Sequence, residues 1–156
     1  MDDEFISRSR GCLLGLAIGD ALGGPTEGKS LQAIERQWGR VTGFLSDDQT
    51  GSDDTEYALF NARLLIRYGR QLTATIIADH WKKEVTQGSN THKGAGFSEM
   101  MAIRNLKAGL LPPQSGQHLH AWSDGLAMRV APFGIVAAGR PDLAARLRVG
   151  ADDHHR

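Results

Sequence analysis

Hydrophobic positions along this chain recur at helical spacing, and no stretch sustains the alternation of a half-buried strand. Residues 10–23 are apolar nearly all round, with Leu13, Leu14, Leu16, Ala17, Ile18 and Leu22 leaving little polar face. That is the pattern of a buried central helix. Gly11, Gly15, Gly19 and Gly23 recur every four residues along it. Each costs roughly 1 kcal/mol relative to alanine in a helix interior. The ladder therefore predicts close approach by another backbone or a ligand. Gly23-Gly24-Pro25 ends the helix.

The later segments read in the same way. Ser30 caps a short helix with Leu31, Ile34 and Trp38 on its apolar face, stopped by Gly39. Residues 40–51 form a loop in which Asp47 and Asp48 are solvated charges. The clearest helix covers 54–68, with an inward stripe of Ala58, Leu59, Ala62, Leu65 and Ile66 and a stop at Gly69. Thr73 caps the next, with Ala74, Ile77, Ala78, Trp81 and Val85 inward and His80 as a surface or packing residue. A polar loop over 87–96 precedes a helix carrying Phe97, Met100, Met101, Ile103 and Leu106, ended near Gly109. Pro112-Pro113 marks another loop. A helical stretch opens at Ser123-Asp124-Gly125 and runs to about Ala138, interrupted at Pro132. A last helix covers 142–148 and a frayed tail follows. The expectation is an all-α fold in a single domain over residues 1–156.

Charge and cysteine content narrow the function classes. Lys+Arg and Asp+Glu both number 18, so the formal net charge is zero. That speaks against a general nucleic-acid or membrane-surface binder, which relies on excess positive charge. The acidic start Met1-Asp2-Asp3-Glu4 is unlike a signal peptide, and the uncharged run Gly11–Gly19 is too short to span a bilayer. A cytoplasmic protein is the expectation. Cys12 is the one cysteine and reads as a small core residue, so no intrachain disulfide forms. His118 and His120 lack a third ligand nearby, and no zinc site is expected.

The chemistry concentrates in Gly51-Ser52-Asp53-Asp54-Thr55. Three successive oxygen-bearing side chains suit a hard cation such as Mg²⁺ or Ca²⁺. The same residues also suit a helix start, with Ser52 or Asp53 as cap and Glu56 completing a capping box. Capping needs one such residue, and three are present. Asp20 ends the apolar first helix and must find hydrogen bonds or a cation. Glu27 follows in a loop. Arg129 lies shortly after the Ser123-Asp124-Gly125 start and could reach a carboxylate or a phosphate.

Three stretches in order resemble the ADP-ribosylglycohydrolase family, which includes dinitrogenase reductase-activating glycohydrolase. They are Gly11-Cys-Leu-Leu-Gly-Leu-Ala-Ile-Gly-Asp-Ala-Leu-Gly-Gly-Pro-Thr-Glu27, then Gly51-Ser-Asp-Asp-Thr55, then Ser123-Asp-Gly-Leu-Ala-Met-Arg-Val-Ala-Pro132. The resemblance implies an all-helical fold and a dinuclear Mg²⁺ or Mn²⁺ centre. It implies hydrolysis of an N- or O-glycosidic bond joining ADP-ribose to a protein side chain or small molecule. Ser52, Asp53 and Asp54 would be metal ligands, and Glu27 would position or activate water beside Asp53 and Asp54. Ser123, Asp124, Gly125, Met128 and Arg129 would meet the substrate, although many relatives have Gly-Asn-Gly where Ser123-Asp124-Gly125 stands. The family pattern continues to a second metal-ligand motif, Asp-x-Asp-Thr, which nothing after Pro132 supplies. The chain is therefore expected to be the N-terminal portion of the fold. Apolar helix faces left bare would then favour self-association.

Overall fold

A computed structural model describes residues 2–85, 96–119 and 121–152. The expected loop over 87–95, His120, the side chain of Val85 and the tail beyond 152 lie outside the described residues. Among the described residues every regular element is helical, as the sequence pattern predicts. The main helices are α1 (Asp3–Gly23), α2 (Leu31–Trp38), α3 (Asp53–Tyr68) and α4 (Ala74–His80). They are followed by α5 (Phe97–Lys107), α6 (Gly125–Arg129), α7 (Ala131–Ala137) and α8 (Pro141–Asp152). A π-helical turn, Trp81–Val85, prolongs α4.

Caps explain most boundaries. Asp2 accepts from the Glu4 backbone N–H at 3.1 Å and starts α1 seven residues before the apolar run begins to predict it. Ser30, Ser52 and Thr73 cap α2, α3 and α4. Gly39 and Gly69 end α2 and α3 with positive φ, where a side chain would be strained. Pro132 sits in the first turn of α7 and separates it from α6, because proline cannot donate into a preceding turn.

The core is built around α3. Tyr57, Phe60, Leu64 and Leu65 meet Ile77, Ala78 and Trp81 from the α4 segment. Ala102, Ile103 and Leu106 of α5, Phe133 and Ala137 of α7, and Leu143 and Leu147 of α8 close the cluster. The inward face of α3 is rotated from the one the aliphatic spacing predicts. Leu59 and Ile66 are 57% and 88% exposed, whereas Tyr57, Phe60 and Asn61 are buried. Two aromatic rings remove more apolar surface from water than the aliphatic stripe would. Asn61 is compensated, because its Nδ2 donates to the Arg129 carbonyl at 3.2 Å. In α5 the same shift exposes Phe97 and Met100 and buries Ser98 and Glu99.

Helix α1 departs furthest from expectation. It touches α3 and α7, yet Ala21 is its one fully buried residue. Leu14 and Ile18 are exposed, as is Cys12, so the cysteine is not a core residue. A Cβ placed on Gly11, Gly15, Gly19 or Gly23 would meet nothing within 4 Å. The glycine ladder faces open space instead of a close neighbour. Helix α2 likewise buries none of its residues. No helix among the described residues is long and apolar enough to cross a membrane.

Candidate functional site

The two acidic stretches meet, and Asp20 joins them. Its carboxylate, at the end of α1, accepts from the Ser52 N–H at 2.7 Å and the Ser52 hydroxyl at 2.6 Å. It also accepts from the Thr55 N–H at 3.1 Å and the Thr55 hydroxyl at 2.5 Å. A carboxylate from one helix thereby satisfies donors that the first turn of another leaves unpaired. Burial alone would raise the Asp20 carboxyl; the hydrogen bonds from Ser52 and Thr55 outweigh it and hold the group below its ordinary range. Gly51 permits this approach, since a Cβ there would lie 2.9 Å from Asp20 Oδ2. Gln49 supports the loop from below, accepting from the Leu45 N–H at 2.8 Å and donating to the Ala21 carbonyl.

This junction forms one wall of an open cleft of about 710 Å³. Asp20, Glu27, Asp53 and Asp54 line it together with Leu16, Gly19, Gly23 and Gly24. The opposite wall is Gly96, Glu99, Ser123, Asp124, Gly125 and Met128. The fold thus gathers Glu27, Asp53, Asp54, Ser123, Asp124, Gly125 and Met128 around one space, from positions up to a hundred residues apart in sequence.

The electrostatics of that space are one-sided. Partial burial raises the Asp53 carboxyl, and nearby Glu99 and Asp20 push it further up. Asp54 is raised by burial first, then by Asp20, Asp53, Glu27 and Asp124. Each added negative charge makes the next ionisation harder, and a cation among them would relieve all of them. The donors are oxygens without sulfur or imidazole, which fits a hard divalent ion. Among the described residues, however, no three His, Cys, Asp or Glu side chains converge as a ready metal cage.

Two of the expected site residues do not line the cleft. The Ser52 hydroxyl is engaged behind the wall, donating to Asp20 and accepting from the Asp54 N–H at 3.4 Å. Capping explains Ser52 directly. Arg129 is corrected from a substrate contact to an interior residue: it is 5% exposed and its Nη2 donates to Glu99 Oε1 at 2.8 Å. Of the two partners open to it, carboxylate or phosphate, the structure shows the carboxylate. Its guanidinium carbon lies 5.2 Å from both the Tyr57 and Trp81 ring centroids. Desolvation lowers its pKa, and the nearby Glu99 opposes that shift. His80 is a packing residue, bonded to Tyr68 Oη at 2.8 Å and Glu84 Oε1 at 2.6 Å.

Glu99 is the cleft residue that sequence reasoning missed. It falls in an ordinary helical stretch, and a buried carboxylate carries no local signature. The available signal was Arg129, a cation in an apolar helix that requires an anion somewhere in the chain.

With this geometry in hand, comparison with known proteins is decisive at the family level. The chain belongs to the ADP-ribosylglycohydrolase family, whose sequence model matches residues 1–155. It is 34% identical over 146 residues to an uncharacterized protein of Archaeoglobus fulgidus, covering 87% of this chain and 44% of that protein. It is 27% identical over 158 aligned positions to the ADP-ribosylhydrolase ARH3 of Danio rerio, covering 94% of this chain and 42% of that protein. The chain therefore spans less than half the length of these curated relatives. No solved structure matches it.

Proposed function

We propose that this chain carries the carboxylate wall of a metal-dependent site that hydrolyses the bond between ADP-ribose and a modified side chain or small molecule. The observation that carries the reading is the meeting of Asp53, Asp54 and Glu27 with the Ser123–Gly125 turn across one cleft. Family membership supplies the reaction class.

The residues fit Mg²⁺ or Mn²⁺ in donor chemistry, and Asp53 and Asp54 would hold such an ion from the first turn of α3. Ser52, given as a ligand by the resemblance, would instead hold Asp20 and the helix start in place. When bound, a metal pair supplies charge stabilisation and a more acidic water. Glu27, on the loop after α1, orients the attacking water and takes its proton at a carboxylate oxygen. Ser123, Asp124, Gly125 and Met128 position the ADP-ribose opposite. Water oxygen joins the ribosyl carbon as its bond to the acceptor nitrogen or oxygen breaks through an oxocarbenium-like state, which anionic surroundings favour, and the proton taken by Glu27 passes to the departing acceptor.

A second reading, ADP-ribose binding without turnover, is favoured by the spread of the carboxylates, which do not converge in threes among the described residues. One experiment separates the two. ADP-ribose release from an ADP-ribosylated peptide is followed with Mg²⁺ present, beside calorimetric titration with ADP-ribose. Release that is lost in Asp53→Ala and Asp54→Ala supports hydrolysis. Binding without release supports the second reading, and neither binding nor release overturns both.

A further inference from the structure

We propose that Glu99 and Arg129 form a buried strut that sets the position of the Ser123–Gly125 turn, and that residue 125 is glycine because the strut fills the space a side chain would take. The functional consequence rests on the reading that this turn faces ADP-ribose.

The geometry is unusually tight at this point. A Cβ on Gly125 would lie 2.0 Å from Glu99 Oε1 and 3.1 Å from Arg129 Nη2. A Cβ on Gly96, on the same wall, would lie 2.9 Å from Glu99 Oε2. Both backbones therefore rest against one carboxylate. That carboxylate cannot swing aside, because it is 2% exposed and receives a hydrogen bond from Arg129. Arg129 itself packs against the stacked Tyr57 and Trp81 rings, and its carbonyl accepts from Asn61. The residue beside Glu99 makes a second tie, since the Ser98 and Ser123 hydroxyls hydrogen-bond to each other. Ser123 Oγ also accepts from the Gly125 N–H at 3.4 Å. Two adjacent residues of α5 thus hold two points of one turn. A buried ion pair is a poor way to gain stability, because desolvating both charges offsets much of their attraction. It is an effective way to fix a backbone in a single position, as outer residues do around metal and ligand sites.

The test uses Gly125→Ala, Glu99→Gln and the double variant Gly125→Ala/Glu99→Asp, in which the carboxylate withdraws by one methylene, with Glu99→Asp alone as the reference for additivity. Cooperative melting establishes that each variant is folded; should Glu99→Gln not fold, Gly125→Ala keeps both charges and carries the test. Backbone amide NMR shifts of residues 123–125 read the turn without any ligand. Both single variants should move those shifts and weaken ADP-ribose binding by about 10- to 100-fold, the usual effect of losing an outer support. The double variant should recover part of both, a departure from additivity that marks direct contact. Unchanged shifts in the single variants, or strictly additive effects in the double, would overturn the strut. If the unmodified chain binds no ADP-ribose, the hydrolase reading fails while the shifts and the rescue still decide this one.

Discussion

Replacing Asp20 by alanine should detach α1 from α3 and lower stability more than its half-buried position suggests. Four donors converge on that carboxylate, two from backbone and two from hydroxyls. A hydrogen bond to a charged acceptor contributes about 1.5–3 kcal/mol, and a neutral one about 1. Water reaches part of this junction and replaces some of the lost acceptor, so the sum is discounted to about 2–3 kcal/mol. In a chain of this length that corresponds to a fall of about 5–10 °C in Tm. Asp20→Asn keeps one oxygen and should lose about half as much. The pH dependence gives a sharper check. Hydrogen bonding lowers the Asp20 pKa in the fold, so its stabilisation is fully present above the unfolded value near pH 4 and is lost as pH falls through the folded value. Thermal melts of the unmodified chain and Asp20→Asn should differ between pH 5 and 7, and the difference should shrink as pH falls below the unfolded value near 4. A Tm unaffected by Asp20→Ala, or a difference that persists unchanged in acid, would refute the junction as drawn.

Asp53→Asn and Asp54→Asn should behave oppositely to Asp20→Asn. Their carboxyls are raised in the fold, so their contribution is favourable below the unfolded pKa and is lost as pH rises through the folded value. At neutral pH without metal each should therefore gain stability, while the rise in Tm with Mg²⁺ expected of the unmodified chain should disappear. Phe60→Ala should cost about 3–5 kcal/mol in a urea titration, whereas Ile66→Ala should stay within about 0.5 kcal/mol, because the first lies in the core and the second faces solvent. Leu14→Ser with Ile18→Ser should reduce concentration-dependent association in light scattering, since both side chains stand exposed on α1; association unchanged by the pair would place the adhesive surface elsewhere.

The sequence made element type and most helix ends legible, because caps and stops are local. Ser30, Ser52, Thr73, Gly39 and Gly69 each act within a turn of where they stand. Helix faces were harder. On α3 the aliphatic residues Leu59 and Ile66 advertise an apolar stripe, but Tyr57 and Phe60 outweigh them once α4 and α5 supply a surface to pack on. That choice depends on partners remote in sequence. The acidic cluster could be read as a cap or as cation ligands, and the structure shows capping for Ser52 while Asp53 and Asp54 face the cleft. Arg129 was legible as a cation in need of an anion, but its partner Glu99, 30 residues upstream, was not. Glycines were the most ambiguous letters. Gly125 marks a true collision, whereas the ladder on α1 marks none.

The tether at Asp20 also makes α1 a hinged plank, fastened at one end. Its C-terminal turn is bound through Asp20 and Ala21, while Leu14, Ile18 and the preceding turns have little above them. Amide hydrogen exchange should therefore be graded along the helix, fast near its start and slow near Ala21. Because Gly19, Asp20, Gly23 and Gly24 form part of the cleft wall, releasing this tether would loosen that wall while the core cluster around α3, to which α1 contributes no residue, kept its packing. A ligand held in the cleft would act as a latch on the same joint, and its occupancy would be recorded as amide protection along α1.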